Sequence, residues 1–593
     1  MLANNDKSVV THQVLVDGVQ LETSYFISAI YVSKEINRVA SAKLTFSDGG
    51  LGTDDEFRIS DSGILEPGKK VEIKVGYNTD EKSLFEGIVT KNSLTVNDVE
   101  GFVLTVECKD PVVKMTVGRK NSVFYEKKDS DIINELVKAS GSQATVGETS
   151  TEHEEMIQHY ISDWDFMLMR AEANGFIVAN SDGELIVDKP STKQSKIEVR
   201  FDGTIRSFDA VLDAQNQLAE AEVTAWDRSE QKLVNTVVKA PKQEKQGGVR
   251  SSKLAEVIGV DTYTMQSGAN VVMSDLQAWG ESKLLKSELS KIKGSVTIGG
   301  TSDAELDTWF KLEGVGKTFD GDAYISGVYH RIEDGDWETE LRIGLSEGWY
   351  VDHTPNIAAM PASGISSPIH GLHIGIVKQI HEDPMGDHRI QVSIPTLQQD
   401  NMPVWARVSN LYSSKGAGFF FMPELEDEVV LGFFNDDPNF PVVLGSMYNK
   451  MAEPAYVASE NNEIKSILTT SKLEIQFNEE EKKITILTPE GQKIVLDDNN
   501  KSLTLMDEAN SNEITLGNGG LQINSAEDIV LFAEGNISMK SNGNIELMAE
   551  GDLLGKGMNV EIKADTKFSA EGAQAELKGS ASTVIEGGLV QIN

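Results

Sequence analysis

At 593 residues the chain is too long for one hydrophobic core, and length alone predicts three or four domains. Its 93 acidic against 54 basic residues give a net charge of −39, which argues against nucleic acid or anionic membrane as a standing partner. Cys108 is the single cysteine, which excludes an intramolecular disulfide and a cysteine zinc site.

In chain order, the opening MLANNDKSVVTHQV has no basic stretch followed by an apolar one, so no secretory signal is expected. No window approaches the roughly 18 apolar residues of a membrane span. Ile27 to Phe46 carries two strand-like runs, and Gly68 to Tyr77 alternates polar and apolar residues. Leu84 to Thr90 reads as the next strand, and Phe102 to Cys108 as another in which the cysteine is a small buried side chain. Helical spacing then interrupts the β pattern. Asp129 to Ser140 places Ile132, Ile133, Leu136 and Val137 on one face, and Asp163 to Asn174 is a second helix ended by Gly175. Gln243 to Ser252 reads as a polar surface loop, Ser274 to Ile292 as a third helix, and Gly294 to Gly300 as a turn after it.

These signals divide the chain into residues 1–355, β-rich domains with helical insertions around 129–175 and 274–292, and a Pro/Ala/Ser/Gly linker at 356–368. Residues 369–450 follow, whose short strands near 374–380, 389–394, 404–408 and 429–434 suit a small five-stranded OB barrel. A connector at 451–472 leads to a β-structured C-terminal part, 473–593. Period-two pairs open that part: Ile484/Ile486, Ile494/Leu496, Leu503/Leu505, Ile514/Leu516 and Leu521/Ile523. Between Asp528 and Leu553 the sequence then repeats every eight residues. Ile529, Ile537, Ile545 and Leu553 share one phase, Leu531, Met539 and Leu547 a second, and Gly535, Gly543 and Gly551 a third, where a positive φ is expected to turn the chain. The phase slips near Val560 and Ile562 and returns at Leu577 and Ile585. Units this short cannot bury an apolar face alone and must stack on copies of themselves.

Several segments resemble the VgrG family of type VI secretion spikes and the hub and spike proteins of contractile phage tails. Tyr160-Ile-Ser-Asp-Trp-Asp-Phe166 with Arg170, Glu172, Asn174 and Gly175 is similar to a motif around a helix of the family's hub, and Leu84 to Thr90 to a strand of its barrel. Gly375-Ile-Val-Lys-Gln-Ile with Asp383, Pro384, Gly386 and Arg389 resembles the opening of its OB domain. Pro423-Glu-Leu-Glu-Asp-Glu-Val429 resembles a Pro-Glu-x-Gly-Asp-Glu-Val signature, with Glu426 in place of glycine, and Asp437 and Pro441 to Gly445 resemble its close. The resemblance implies a mainly β fold: hub-like β-barrels with a few helices, an OB-fold, then a C-terminal trimeric triple-stranded β-helix or β-prism. It implies as partners two further copies of the chain, a hexameric inner-tube protein, baseplate proteins, effectors or adaptors, and a PAAR-like tip protein. Gly588, Leu589, Val590, Gln591, Ile592 and Asn593, an apolar end, are the expected docking residues for that tip protein.

His381-Glu-Asp-Pro-Met-Gly-Asp-His388 carries two histidines and three carboxylates, but on a loop with Pro and Gly, unlike the helical spacing of a zinc motif. No G-x-S-x-G, no phosphate loop and no partner for Cys108 appears. From Met451 onward there are 24 acidic residues and 11 lysines, with no Arg, His, Cys or Trp. The resemblance, together with these absences, implies a non-enzymatic puncturing spike with no cofactor or metal, assembled in the cytoplasm and exported by the contractile apparatus, meeting a target membrane only on injection. The alternative is a tail-associated wall hydrolase or an adhesin on a trimeric stalk.

Overall fold

The computed structural model describes residues 9–49, 57–97, 101–181, 183–240, 246–260, 262–269, 271–398 and 402–592. The chain divides into two compact units, Met1–Met447 and Tyr448–Asn593.

In the first unit, alternation of apolar and polar residues builds one 13-stranded sheet. Its N-terminal strands run Ile27–Glu35, Ser41–Ser47, Gly101–Lys109, Asp80–Asn97, Lys70–Tyr77 and Val10–Val16 in spatial order. Every second residue of Gly101–Lys109 is buried, Cys108 among them, and burial pushes its thiol up to about 12. The sheet continues through Gly321–Glu333, whose Val328, His330 and Ile332 lie opposite Lys34, Val32 and Ile30. The β-rich domains expected within 1–355 thus share a sheet while keeping separate cores. One is centred on Val32, Leu44, Ile73 and Val106, the other on Val296, Phe310, Ile325 and Leu341.

The helices follow the sequence with shifted ends. Helix α1 spans Asp129–Ala139 and α2 spans Asp163–Ala173, packing Ile132, Ile133, Val137, Trp164, Phe166 and Met167 into a third core. Ser162 caps α2, its Oγ accepting the Asp165 N–H at 3.1 Å. Helix α3, Ser251–Ile258, begins inside the segment read as a loop; residues 243–245 of that loop lie outside the described residues. Helix α4, Met273–Leu289, stops short of Ile292. Buried Ile292 instead opens the strand Ile292–Gly299, paired on one side with Ile205–Leu212 and on the other with Asp336–Ile343. Gly294 is therefore a strand residue, not part of a turn: a Cβ there would lie 2.1 Å from the Asp209 carbonyl, so only glycine allows the two backbones to pair.

The first unit closes with a five-membered barrel of His373–Gln379, Ile390–Ser393, Val404–Val408, Pro441–Ser446 and Glu428–Phe433. Val377, Ile390, Val392, Ala406, Val429 and Leu431 fill it. Glu426, at the position where the spike signature has glycine, keeps the left-handed backbone at φ 67°. The turn retains its shape at a cost of roughly 1 kcal/mol for a residue with a Cβ, and Lys378 Nζ meets the Glu426 carboxylate at 2.9 Å.

His330 is the most perturbed histidine of this unit. Its Nδ1 lies 3.0 Å from Thr339 Oγ1, and the Trp337 indole ring sits 5.9 Å away. Burial, helped by Lys34, drives its pKa from 6.5 down to about 3. Below pH 6.5 the unfolded chain binds a proton that the folded chain refuses until about pH 3. Stability from this group is therefore complete above pH 6.5 and is lost as pH falls towards 3, by about 1.4 kcal/mol per pH unit. Urea titrations at a series of acidic pH values should show His330→Gln with a shallower loss than the native chain.

Candidate assembly surface

The second unit is built on different terms. Seven strands form an antiparallel meander: Ile464–Leu468, Glu474–Asn478, Lys483–Leu487, Gln492–Asp497, Ser502–Asp507, Asn512–Gly517 and Gly520–Asn524. The first falls within the stretch read as a connector, so Ile467 adds a member that the sequence pairs had not included. Tight hairpins join the strands, with Lys472, Lys482, Gly491, Lys501, Ser511 and Gly520 at positive φ in or beside the turns. One of them is anchored by Asp497, whose carboxylate accepts the Asn500 N–H and the Asn500 side-chain amide, each at 2.9 Å. Those bonds, with Lys483 at 3.3 Å, hold the carboxyl below its usual range.

Because each hairpin keeps the register, the period-two pairs line up across the whole sheet. Ile467, Ile475, Ile486, Ile494, Leu505, Ile514 and Ile523 are successive cross-strand partners. Phe477, Ile484, Leu496, Leu503, Leu516 and Leu521 form a second row on the same face. The residues between them, Ser466, Gln476, Thr485, Val495, Thr504, Thr515 and Gln522, line the opposite face. Nearly all of the two aliphatic rows is open: from Ile467 to Ile523 most members are 36–62% exposed. Among the described residues, no apolar side chain beyond Val443 is buried.

After Asn524 the chain makes no strand pairing among the described residues, yet it bends with regularity. Paired bends fall at 526–527, 534–535, 542–543, 550–551 and 558–559, the eight-residue period of the sequence. Ile529, Ile537 and Ile545 are 53–56% exposed, against 82–90% for Val530, Phe532 and Met548, so each unit has an inner and an outer side. The glycine expectation is corrected here. Gly535, Gly543 and Gly551 are not among the positive-φ residues, which end at Gly520. A wide corner between extended segments needs no positive φ, and a Cβ added at Gly535 or Gly551 would meet nothing within 4 Å, so within one chain neither backbone conformation nor space demands glycine there. Of the expected tip residues, Gly588 and Leu589 form a bend and Val590 and Ile592 are exposed, while Asn593 lies outside the described residues.

The motif residues of the first unit are occupied in holding it together. Arg170 grips Asp129 through two bonds of 2.7 and 2.8 Å, and Asn174 adds a third at 2.8 Å. Burial would raise the Asp129 carboxyl, but Arg170 and Asn174 prevail and hold it low. Glu172 accepts the Tyr350 N–H at 2.7 Å and pairs with Lys286, while Gly175 ends α2 at φ 71°. Glu172, Gly175 and Lys286 line a cavity of about 920 Å³ with Glu35, Arg38, Asp165, Tyr329 and Tyr350. Its carboxylates are engaged: Glu35 with Arg38 at 3.2 Å and Tyr329 at 2.8 Å, Asp165 with Tyr350 at 2.7 Å. In the loop of His381 and His388, Asp383 accepts the backbone N–H groups of Met385, Asp387 and Arg389 and binds the Arg389 guanidinium at 2.6 Å. That guanidinium, with the N–H groups, holds the carboxyl far below its usual range.

Residues 6–334, more than half of the chain, match the family described as the Alg8 N-terminal domain. The chain belongs to that family. Residues 373–448, the closed barrel, match the type VI secretion system/phage-baseplate injector OB domain. A stretch of 66 residues is 33% identical to the actin cross-linking toxin VgrG1 of Vibrio cholerae, covering 11% of this chain and 6% of that protein's length. The chain is thus VgrG-like, mainly β and phage-tail-like, with an OB-fold. Among solved structures it is similar to a 43 kDa tail protein of prophage MuSo2 from Shewanella oneidensis, with 10% identity and a TM-score of 0.43 over 57% of this chain and 99% of that one. It is also similar to the lidded PdpA–VgrG complex of Francisella, with 12% identity and a TM-score of 0.40 over 88% and 81%. No helix among the described residues is long and apolar enough to cross a membrane.

A carboxylate in the middle of the aliphatic face should block whatever covers it, since burying an unpaired charge costs several kcal/mol. Where further copies of the chain are what covers the face, Ile494→Asp is expected to weaken that association at least about tenfold in size-exclusion and sedimentation experiments, a difference of about 1.4 kcal/mol. Thr485→Asp, on the opposite face, is expected to leave it unchanged.

Proposed function

We propose that this chain is the hub and spike of a contractile injection apparatus of the type VI kind. Three copies wind together, join the inner tube to a sharpened tip, and puncture a target envelope while carrying effectors. The carrying observation is the second unit, in which two apolar rows cross seven strands and the bends repeat every eight residues as far as 558–559, yet among the described residues no apolar side chain is buried. Full burial of a fully exposed side chain of this kind is worth about 1.5–3 kcal/mol, and the row members, already about half covered, would gain roughly half of that. A uniform, repeating face is best covered by the same face of further copies, which also pairs the open strand edges. Side-chain-free corners at Gly535, Gly543 and Gly551 leave room for neighbouring chains to pass close by. The number three rests on the likeness to VgrG.

On this reading the first unit sits on a hexameric tube protein within a baseplate, and residues 588–593 receive a PAAR-like tip protein. The protein is made in the cytoplasm and leaves it when the apparatus contracts. It needs no active site, because the sheath supplies the work. The engaged carboxylates of the first unit's cavity and the use of Asp383 as a loop anchor support a structural role for the residues that most resemble catalytic ones.

The experiment is deletion of residues 526–593 in a cell that carries the apparatus. Delivery into target cells is expected to be abolished, while the shortened protein still co-purifies with the tube protein. Undiminished delivery would contradict the proposed role.

A further inference from the structure

The stretch 356–368, whose composition marks it as a linker, is held at both ends. At its start Arg119, immediately before the strand Lys120–Lys128, donates to three backbone carbonyls: Tyr160 at 2.9 Å, Ile357 at 3.1 Å and Asn356. Its guanidinium also lies 5.6 Å from the centre of the Tyr160 ring, and the Tyr160 N–H donates to Asn121 Oδ1 at 2.8 Å. The planar fork of arginine serves several acceptors at once, which a lysine ammonium does less well. The Ile357 side chain packs against the core of α1 and α2. At the far end Asn435, just past the barrel strand Glu428–Phe433, donates through Nδ2 to Ser363 Oγ at 3.1 Å. The Ile369 N–H donates to the Asp436 carbonyl at 2.9 Å. Between the two anchors lies a cavity of about 360 Å³, lined by Arg119, Tyr160, Met360, Ser363 and Asn435 among others, so the middle of the stretch has room to move once an end is freed.

A second, independent observation concerns the backbone. Tyr160, Asn356, Ala362, Ser363, Asn435 and Asp436 all have φ between 45° and 61°. Asn and Asp reach that region readily, but Tyr160, Ala362 and Ser363 carry a steric penalty there. Ala362 is also buried, and at Gly364, where φ is 71°, a Cβ would lie 2.9 Å from Met360 Sδ. Backbone of this kind persists only where the surrounding contacts over-determine it. A free linker would relax out of it.

We propose that residues 356–364 are a strained strap, held closed by Arg119 at one end and Asn435 at the other, which locks the five-membered barrel to the body that carries α1 and α2. Opened at Arg119, the strap loses the contacts that offset its backbone strain, and the barrel is free to move relative to that body. The lock would keep the two parts in line while the apparatus contracts. That use rests on the injection reading, whereas the lock itself does not.

The test is amide hydrogen exchange of the full chain, read by mass spectrometry. Arg119→Ala is expected to speed exchange across residues 354–369 at least about tenfold, with the interiors of the barrel and of the α1–α2 core unchanged. Arg119→Lys, which keeps the charge but not the fork, is expected to fall between the alanine variant and the native chain. Ala362→Gly removes the cost of the left-handed backbone, so it is expected to slow exchange in the strap and to reverse part of the Arg119→Ala effect. Exchange as slow as native in the Arg119 variants would overturn the clamp, and faster exchange in Ala362→Gly would overturn the strain. Should Arg119→Ala not fold, the lysine and glycine variants decide the matter by the same outcomes. Delivery into target cells is not the readout, so failure of the injection reading and failure of the strap are told apart.

Discussion

The structure depends on one imbalance: beyond Val443 the chain holds many aliphatic side chains and, among the described residues, buries none of them. Folding must offset roughly 1–2 kcal/mol of backbone entropy per residue, and hydrophobic burial is the main term able to do so. A meander of seven strands with one open aliphatic face does not meet that requirement alone. Its hairpins, registers and corners are specified locally, and on the proposed reading its stability is deferred to association. On the proposed reading this is what a spike requires, because a core shared between chains cannot open in one of them without loosening the others.

The first unit follows the opposite logic. It has separate, well-filled cores, and its polar motif is spent internally. Arg170, Asn174, Glu172 and Ser162 tie α1, α2, α4 and the segment at Tyr350 together through buried or half-buried bonds. A buried charge pair of this kind fixes an arrangement more than it stabilises one, since removing either partner strands the other. That favours a body whose parts keep their relative positions.

Much of this was legible in the sequence, for identifiable reasons. Period-two pairs such as Ile494/Leu496 specify both face and register, so the aliphatic rows could be written down before the sheet was seen. The OB strands and α1 and α2 were marked by strong periodicity and the end of α2 by Gly175, whereas the Ser162 cap appeared only with the structure. What escaped was set by distant partners. Ile292 ends α4 early because two strands claim it, and Gly294 became a strand residue because the Asp209 backbone approaches it. Helix α3 is short, with only Ser251, Leu254 and Ala255 buried, too little for a periodic signal. Ile464–Leu468 was hidden because its pairing partner lies across a turn from a segment that reads as linker. The corner glycines show how a correct residue can carry a wrong reason: they mark the turns, but their φ is ordinary.

The central claim is that the second unit's apolar face is covered by two further copies of the same chain. Its most direct test is the absolute mass of the purified full-length protein by light scattering, with sedimentation equilibrium as a check. The account predicts about three times the chain mass of 64.8 kDa, unchanged on dilution into the nanomolar range. A folded species of 64.8 kDa would contradict it, because the aliphatic rows would then have to be covered within one chain.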